Sequence, residues 1–449
     1  MLTWQEVYPV VTVWLQALGA VPHHNAREAL STLVSALLLG QSLRTTALMR
    51  ALLSPSPVPA RQRYKRVARA WTRPWLTSGW LTPYLVRAVL SLVRRDPAAW
   101  GTEGLVVVAL DSVRCGRWEV YTLAVVWHGR ALPVAWEVLR YPLPRGAFGP
   151  TIQRLVRLVR RVAVAWPGGP RPLLVADRAF PSRALFGLLE RLGWQWVVRV
   201  RATDGLLVAG EHRTVRHLLA AARLERWQTW PAAFGSGAGA VPGRLVVGRG
   251  LLVVPIHQAG PASLRWRSQQ WQRRQQHLAT KKRGGPRQNL QASDAWVALF
   301  TSLEGPRPAI ASYARRWGIE GSYRDAQGGW DGQHGWDLEA TLIRTRDSAV
   351  VERIVGLWAL GALLQSWLGH CASLGEAPPE VAAVVREWTT TGRLSLWGHG
   401  RLALTDQGGL LHSWVVAALR EGARRVTAAP PCPEAALLTL PQRPGRKAA

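Results

Sequence analysis

Acidic residues are scarce in this chain: 27 Asp and Glu stand against 57 Lys and Arg over 449 residues. A formal charge of +30 argues against a partner that is itself basic, and points to a polyanion such as nucleic acid. Lysine is rare too. The basic residues are almost all Arg, whose planar fork matches phosphate better than an ammonium does. A GC-biased proteome also raises Arg, Ala, Gly and Trp together, so local clusters carry more weight than the total.

Cysteine is nearly absent. Cys115, Cys371 and Cys432 are not spaced as a zinc ligand set, which excludes a disulfide framework and suits a reducing compartment such as the cytoplasm. The first twenty residues lack a basic leader region and carry Glu6, so they read as an amphipathic helix, not a signal peptide. The longest apolar stretch, IVGLWALGALLQSWLG, is short for a bilayer and holds Gln365. It reads as a buried helix, and no membrane partner is expected. There is no internal repeat.

What is present is enough apolar sequence, 48%, for a sizeable core and two or three domains. Residues 1–95 read as helical and as a DNA-binding region. Within them RQRYKRVARAWTRPWL mixes Lys65 and Arg66 with Tyr64, Trp71 and Trp75. A solvated helix face is the plain reading; phosphate contact is the functional one. Residues 96–203 give three strands, a helix, a strand, a helix and a strand. Residues 204–293 form short β-like runs and then a basic stretch with Arg273, Arg274, Lys281 and Lys282 and no acid from His257 to Ser293. They read as a β-containing insertion, apart from the core sheet. Residues 294–370 resume with the buried strand WVALFTSL, one helix from Ala309 through Arg324, and the long apolar helix. Residues 371–449 read as a helical region with a disordered basic tail from Gly422.

Three acids stand out. Asp111 ends the run LVVVALDS, Asp177 ends PLLVADRAF, and Glu320 lies in YARRWGIEGSYRDAQ. Singly, each is as readily a turn, a cap or a helix-surface acid paired with Arg316 or Arg324. Jointly, two carboxylates closing neighbouring parallel-type strands, with a third from a helix, can hold two divalent ions about 4 Å apart for in-line phosphoryl displacement. Oxygen-only ligands suit Mg²⁺, with Mn²⁺ possible. In so basic a chain, a metal would separate the acids from an incoming polyanion.

The joint pattern resembles the DDE transposases of bacterial insertion sequences, in the group marked by a Tyr-Arg-Glu-Lys signature (the insertion-sequence-four type). Tyr313, Arg316 and Glu320 match that spacing, as do Asp177-Arg178 followed by Phe180, and Asp111 followed by a hairpin. The resemblance covers roughly residues 60–370. It implies an α/β, ribonuclease-H-like, retroviral-integrase-like core, interrupted by a β-containing insertion and flanked by helical regions. It also implies Mg²⁺-dependent cutting and joining of double-stranded transposon ends by a homodimer, with Asp111, Asp177 and Glu320 as catalytic metal ligands. Tyr313, Arg316, Arg178 and Arg324 would contact DNA. The signature Lys, seven residues after the Glu, is replaced by Gln327. A same-fold nuclease without strand transfer and an inactive DNA-binding remnant are the alternatives; a generic RNA-binding scaffold lacks any supporting motif.

Overall fold

The run Leu105–Leu110 is buried at every residue, as an apolar β-branched segment covered on both faces must be. In a computed structural model of the chain it opens β1 (Leu105–Cys115), followed by β2 (Trp118–Trp127) and β3 (Arg130–Arg140). The structure describes residues 2–249, 296–327, 335–373, 379, 396–405 and 412–429, except 22, 53–58, 95, 97–99, 101–103, 144–145, 147 and 222–226. Before β1 come five helices: α1 (Trp4–Leu18), α2 (His24–Gly40), α3 (Thr45–Ala51), α4 (Ala60–Ala70) and α5 (Ser78–Val93). Glu6, one turn into α1, accepts a hydrogen bond from the Thr3 backbone N–H at 2.7 Å and so caps that helix.

After β3 the chain runs α6 (Phe148–Ala165), β4 (Arg171–Ala176), α7 (Arg183–Arg191) and β5 (Gln195–Arg199). The expected alternation is therefore present. In α6, Ile152, Leu155, Val159 and Val162 are buried, while Arg154 and Arg157 on the opposite face are exposed. Ser182 caps α7 by accepting from the Leu185 N–H, and Gly193, at φ +67°, follows its end. Next come β6 (Gly205–Val208), β7 (Glu211–Thr214), α8 (Val215–Ala221), β8 (Gln228–Phe234), β9 (Val241–Arg249) and β10 (Trp296–Thr301). The remaining helices are α9 (Pro306–Ala314), α10 (Trp317–Gln327), α11 (Leu338–Arg344), α12 (Ser348–Ser373), α13 (Leu396–Thr405) and α14 (His412–Thr427).

The protein is mixed α/β, with many helices and one large mixed sheet in the order β3-β2-β1-β4-β5-β10-β9-β8-β6-β7. β1 to β3 are an antiparallel meander, with Asp111 opposite Thr122, and Trp127 opposite Arg130 at the second turn. β4 and β5 are parallel, joined through α7, while β10, β9 and β8 continue antiparallel from β5.

This order corrects one expectation. Residues 204–249 do form β-strands, but not a sheet of their own: β10 pairs along its whole length with Arg244–Arg249 of β9, in the sheet that also holds Asp111. The backbone of β10 exposes a second hydrogen-bonding edge beyond β5, and β9 fills it. A second correction concerns the C-terminus, where Gly422–Thr427 are the last turns of α14 rather than tail. The 257–293 stretch and residues beyond 429 lie outside the described residues.

Contacts divide the chain into two units: residues 1–100, 108–170 and 318–449 form unit 1, and residues 101–107 and 171–317 form unit 2. In unit 1, α12 is long and apolar enough to cross a membrane by composition alone, but 72% of its apolar window is buried inside the protein. It is the core helix of the unit, as the sequence suggested.

Candidate nucleic-acid processing site

In unit 2, Asp177 follows directly on β4, whose residues Pro172–Ala176 are all buried. The strand fixes the backbone and delivers the carboxylate to the surface, where 30% of the side chain is exposed. Two groups face it. Tyr313 of α9 donates its phenol O–H to Asp177 Oδ1 at 3.1 Å, and the Arg199 guanidinium, one residue beyond the β4–β5 pairing, lies 3.9 Å from the same oxygen. Burial pushes the Tyr313 phenol well above its ordinary pKa; Asp177 adds to that, against the cations Arg316 and Arg199. The phenol is therefore a fixed donor. Arg316 is itself buried, at 4% exposure, with its guanidinium 5.5 Å from the Tyr313 ring and 5.1 Å from that of exposed Trp317. Arg178 is exposed, and its carbonyl accepts from Arg201 Nε at 2.7 Å, which pins the turn.

The expected single helix from Ala309 to Arg324 is two. α9 ends at Ala314 and α10 begins at Trp317, so Arg316 sits in the break. No Gly or Pro marks this break in the sequence.

In unit 1, Asp111 is half-buried and lies within β1, not at its end: the strand continues four residues to Cys115, and its partner here is antiparallel β2. Burial falls from complete to partial at Asp111, which is why the apolar run stops there while the hydrogen-bonded ladder does not. α10 is fixed close to these strands. A Cβ on Gly318 would come within 3.2–3.3 Å of Val126, Gly129 and Arg130, tighter than most side chains tolerate. Ser322 Oγ accepts from the Ala131 N–H at 2.8 Å, and Arg130 Nε donates to Asp325 at 2.5 Å. Buried Tyr323 donates to the Asp111 carbonyl at 3.4 Å. Glu320, half-buried, stands one turn before Tyr323 on the same helix face. Thus the structure ties the helix of Glu320 to the strand of Asp111 within one unit, and gathers Asp177, Tyr313 and Arg316 within the other.

Arg324 is exposed on α10. Gln327 is half-buried, and its side-chain amide donates to the buried Cys115 thiol, with N···S at 4.0 Å. Burial above all pushes that thiol up to about 12, with the Glu339 charge adding to it, so Cys115 stays protonated. Lys65 and Arg66 are exposed on α4. Arg66, Arg69, Arg73 and Trp75, with His23 and Glu28 of the preceding region, line a cavity of about 520 Å³. Arg273, Arg274, Lys281 and Lys282 lie outside the described residues.

One cluster escaped the sequence reading. Asp96 after α5, His128 in the β2–β3 turn and His370 of α12, all in unit 1, bring their ligand atoms within 4.8 Å of one another. The Trp127 indole N–H donates to Asp96 Oδ2 at 2.7 Å, and His128 Nε2 pairs with the same oxygen. Burial alone would raise the Asp96 carboxyl; Trp127, His128 and His370 together hold it below its usual range. Burial lowers His370 to about 4. Nothing local signals the cluster: an acid after a helix, a His in a turn and a His on an apolar helix are each unremarkable alone.

Compared with known protein families and with curated proteins, the sequence finds no match in either.

Proposed function

We propose that the protein is a metal-dependent DNA transposase with a ribonuclease-H-like core. The observation that carries the reading is the hydrogen bond from Tyr313 to Asp177, with Arg316 stacked beside it. Tyr313 and Asp177 belong to two motifs, 136 positions apart, that each resemble one family's signature, and they meet at one carboxylate. The strand order around β1 supports the same reading: an antiparallel meander, then β4 beside its first strand, then parallel β5, with α6 and α7 as the connections.

The donor chemistry fits Mg²⁺. Asp111, Asp177 and Glu320 are all half-buried, so a hard cation that keeps part of its water shell has access to each. The reading requires the three to act together and names them as the residues that would hold two ions. When bound, such ions activate water and neutralise charge on the phosphate. The chain's own groups then have defined tasks. Tyr313 orients the Asp177 carboxylate. Exposed Arg178 grips backbone phosphate near the cut; Arg316, expected from the signature to do the same, is buried beside the Tyr313 and Trp317 rings and instead adds positive charge behind Tyr313. Arg324 takes the place of the missing signature Lys. Lys65, Arg66 and the basic cavity of α4 hold flanking duplex, and two chains act on paired ends in the cytoplasm.

The test is excision from a supercoiled plasmid that carries the gene's own flanking DNA, in Mg²⁺, with Asp177→Asn as the paired variant. Double-strand breaks at the element's ends and strand-transfer products that vanish in the variant support the proposal. Hydrolysis without transfer favours the nuclease alternative. DNA binding with no cutting by the wild type, in Mg²⁺ or Mn²⁺, favours the inactive remnant and overturns it.

A further inference from the structure

We propose that Asp96, His128 and His370 form a site for a first-row transition-metal cation, with Zn²⁺ as the best fit. The site is distinct in chemistry from the acids Asp111, Asp177 and Glu320, and the proposal does not rest on the transposase reading.

The ligand set is two imidazole nitrogens and one carboxylate oxygen. Zn²⁺ and its neighbours take such mixed donors, whereas Mg²⁺ prefers oxygen alone. All three donor atoms lie within 4.8 Å of one another. A tetrahedral site with bonds of about 2.0–2.1 Å spaces its ligand atoms roughly 3.3 Å apart. His370 Nδ1 lies 3.9 Å from Asp96 Oδ2, close to that spacing. Three protein ligands leave a fourth position for water.

The surroundings are those of a ligand shell. Trp127 donates to Asp96 and so orients the carboxylate. The Trp127 and Trp367 rings pack on His370 at 4.5 and 5.5 Å, which keeps bulk water from the buried side. Side-chain exposure is 8% for Asp96 and 4% for His370, but 21% for His128, so a cation enters past the turn.

The turn at His128 sets where the ring is presented. His128 and Gly129 have φ of +45° and +73°, the double left-handed geometry of a two-residue hairpin turn. Asn-Gly suits that geometry best, and His is among the few other side chains that tolerate it. The turn presents the imidazole so that its ring nitrogen is directed at Asp96.

The test uses full-length protein without a histidine tag, stripped with chelator and dialysed. Co²⁺ is titrated by its visible absorption, and Zn²⁺ by competition against it. About one equivalent should bind, with a visible spectrum of tetrahedral or five-coordinate cobalt. His128→Asn, which keeps the turn backbone comfortable, and Asp96→Asn, which keeps the shape, should each weaken binding by tenfold or more. Excess Mg²⁺ should not displace the cobalt. Three results would overturn the site: no saturable binding by the wild type at tens of micromolar metal, unchanged affinity in His128→Asn, or displacement by Mg²⁺. The first of these would assign the cluster to protons alone, as a buried hydrogen-bonded network.

Discussion

Asp177 and Asp96 are two carboxylates under opposite regimes. Asp177 stands at the end of a buried strand with nearly a third of its side chain in water, faced by a phenol and a guanidinium. Asp96 is enclosed, faced by an indole and two imidazoles. The first is an open, cation-rich corner that a phosphate can approach. The second is closed to anything larger than a small ion. The difference teaches that burial and partner type, not the carboxylate itself, decide what an acid does.

Substituting Asp177 gives the largest expected effect. Asp177→Asn should lower Mg²⁺-dependent strand cleavage on the order of 10³-fold, since a metal ligand is worth several kcal/mol to the transition state. Binding to duplex DNA and the urea midpoint should barely move. A variant that cuts at near wild-type rate would remove the catalytic role.

Asp96→Ala should do the reverse. It strips the partner from the Trp127 indole and from His128, and a buried pair broken on one side costs about 3 kcal/mol. Urea denaturation measures this, and a loss below 1 kcal/mol would erase the contrast between the two acids.

The contrast also has a pH signature. His370 is held neutral in the folded protein, at about 4 against 6.5 for the free side chain. A depressed value means that the stabilisation is complete above about 6.5 and is lost as pH falls toward 4, amounting to on the order of 3 kcal/mol. Asp96, also held low, adds a further loss below the usual carboxylate range. His370→Gln should flatten the slope between pH 6.5 and 4. An unchanged slope in that variant would mean that other groups govern acid stability.

Tyr313→Phe is a smaller test of the open corner. Loss of one hydrogen bond to a carboxylate should lower cleavage roughly tenfold and stability by about 1 kcal/mol. The smallest effect is expected at Gln327. Its amide is turned to the Cys115 thiol, so Gln327→Lys should leave the salt dependence of DNA binding unchanged. Arg324→Ala, by contrast, should lower the slope by roughly 0.9, one phosphate contact on duplex DNA. A steeper slope in Gln327→Lys would return the signature position to the DNA.

The strands and helices around Asp111 and Asp177 were legible because their patterns are local: a continuous β-branched run, a 3.6-residue stripe, a Ser cap. The Tyr313–Asp177 contact was legible only as two motifs of one resemblance. Three features were hidden for a shared reason, which is that pairing partners are not written in the residues themselves. β9 chooses the edge of β10 by backbone hydrogen bonds that any sequence offers. α9 and α10 part at Arg315-Arg316 without a breaker residue. His128 is spelled as a turn, and only the fold brings it to Asp96 and His370.

The first and last described helices touch. α1 packs on α14, and Gly422 is bare because Trp14 occupies the place a side chain would take, 2.4 Å from its Cβ position. The part of the Trp14 cover that α14 supplies is therefore missing until nearly the whole chain has been made. At about 5–20 residues per second, some 400 residues of translation leave that apolar face waiting roughly 20–80 s. Chains truncated before α14 should therefore expose this face and be held by ribosome-associated chaperones to a greater extent than the full-length chain.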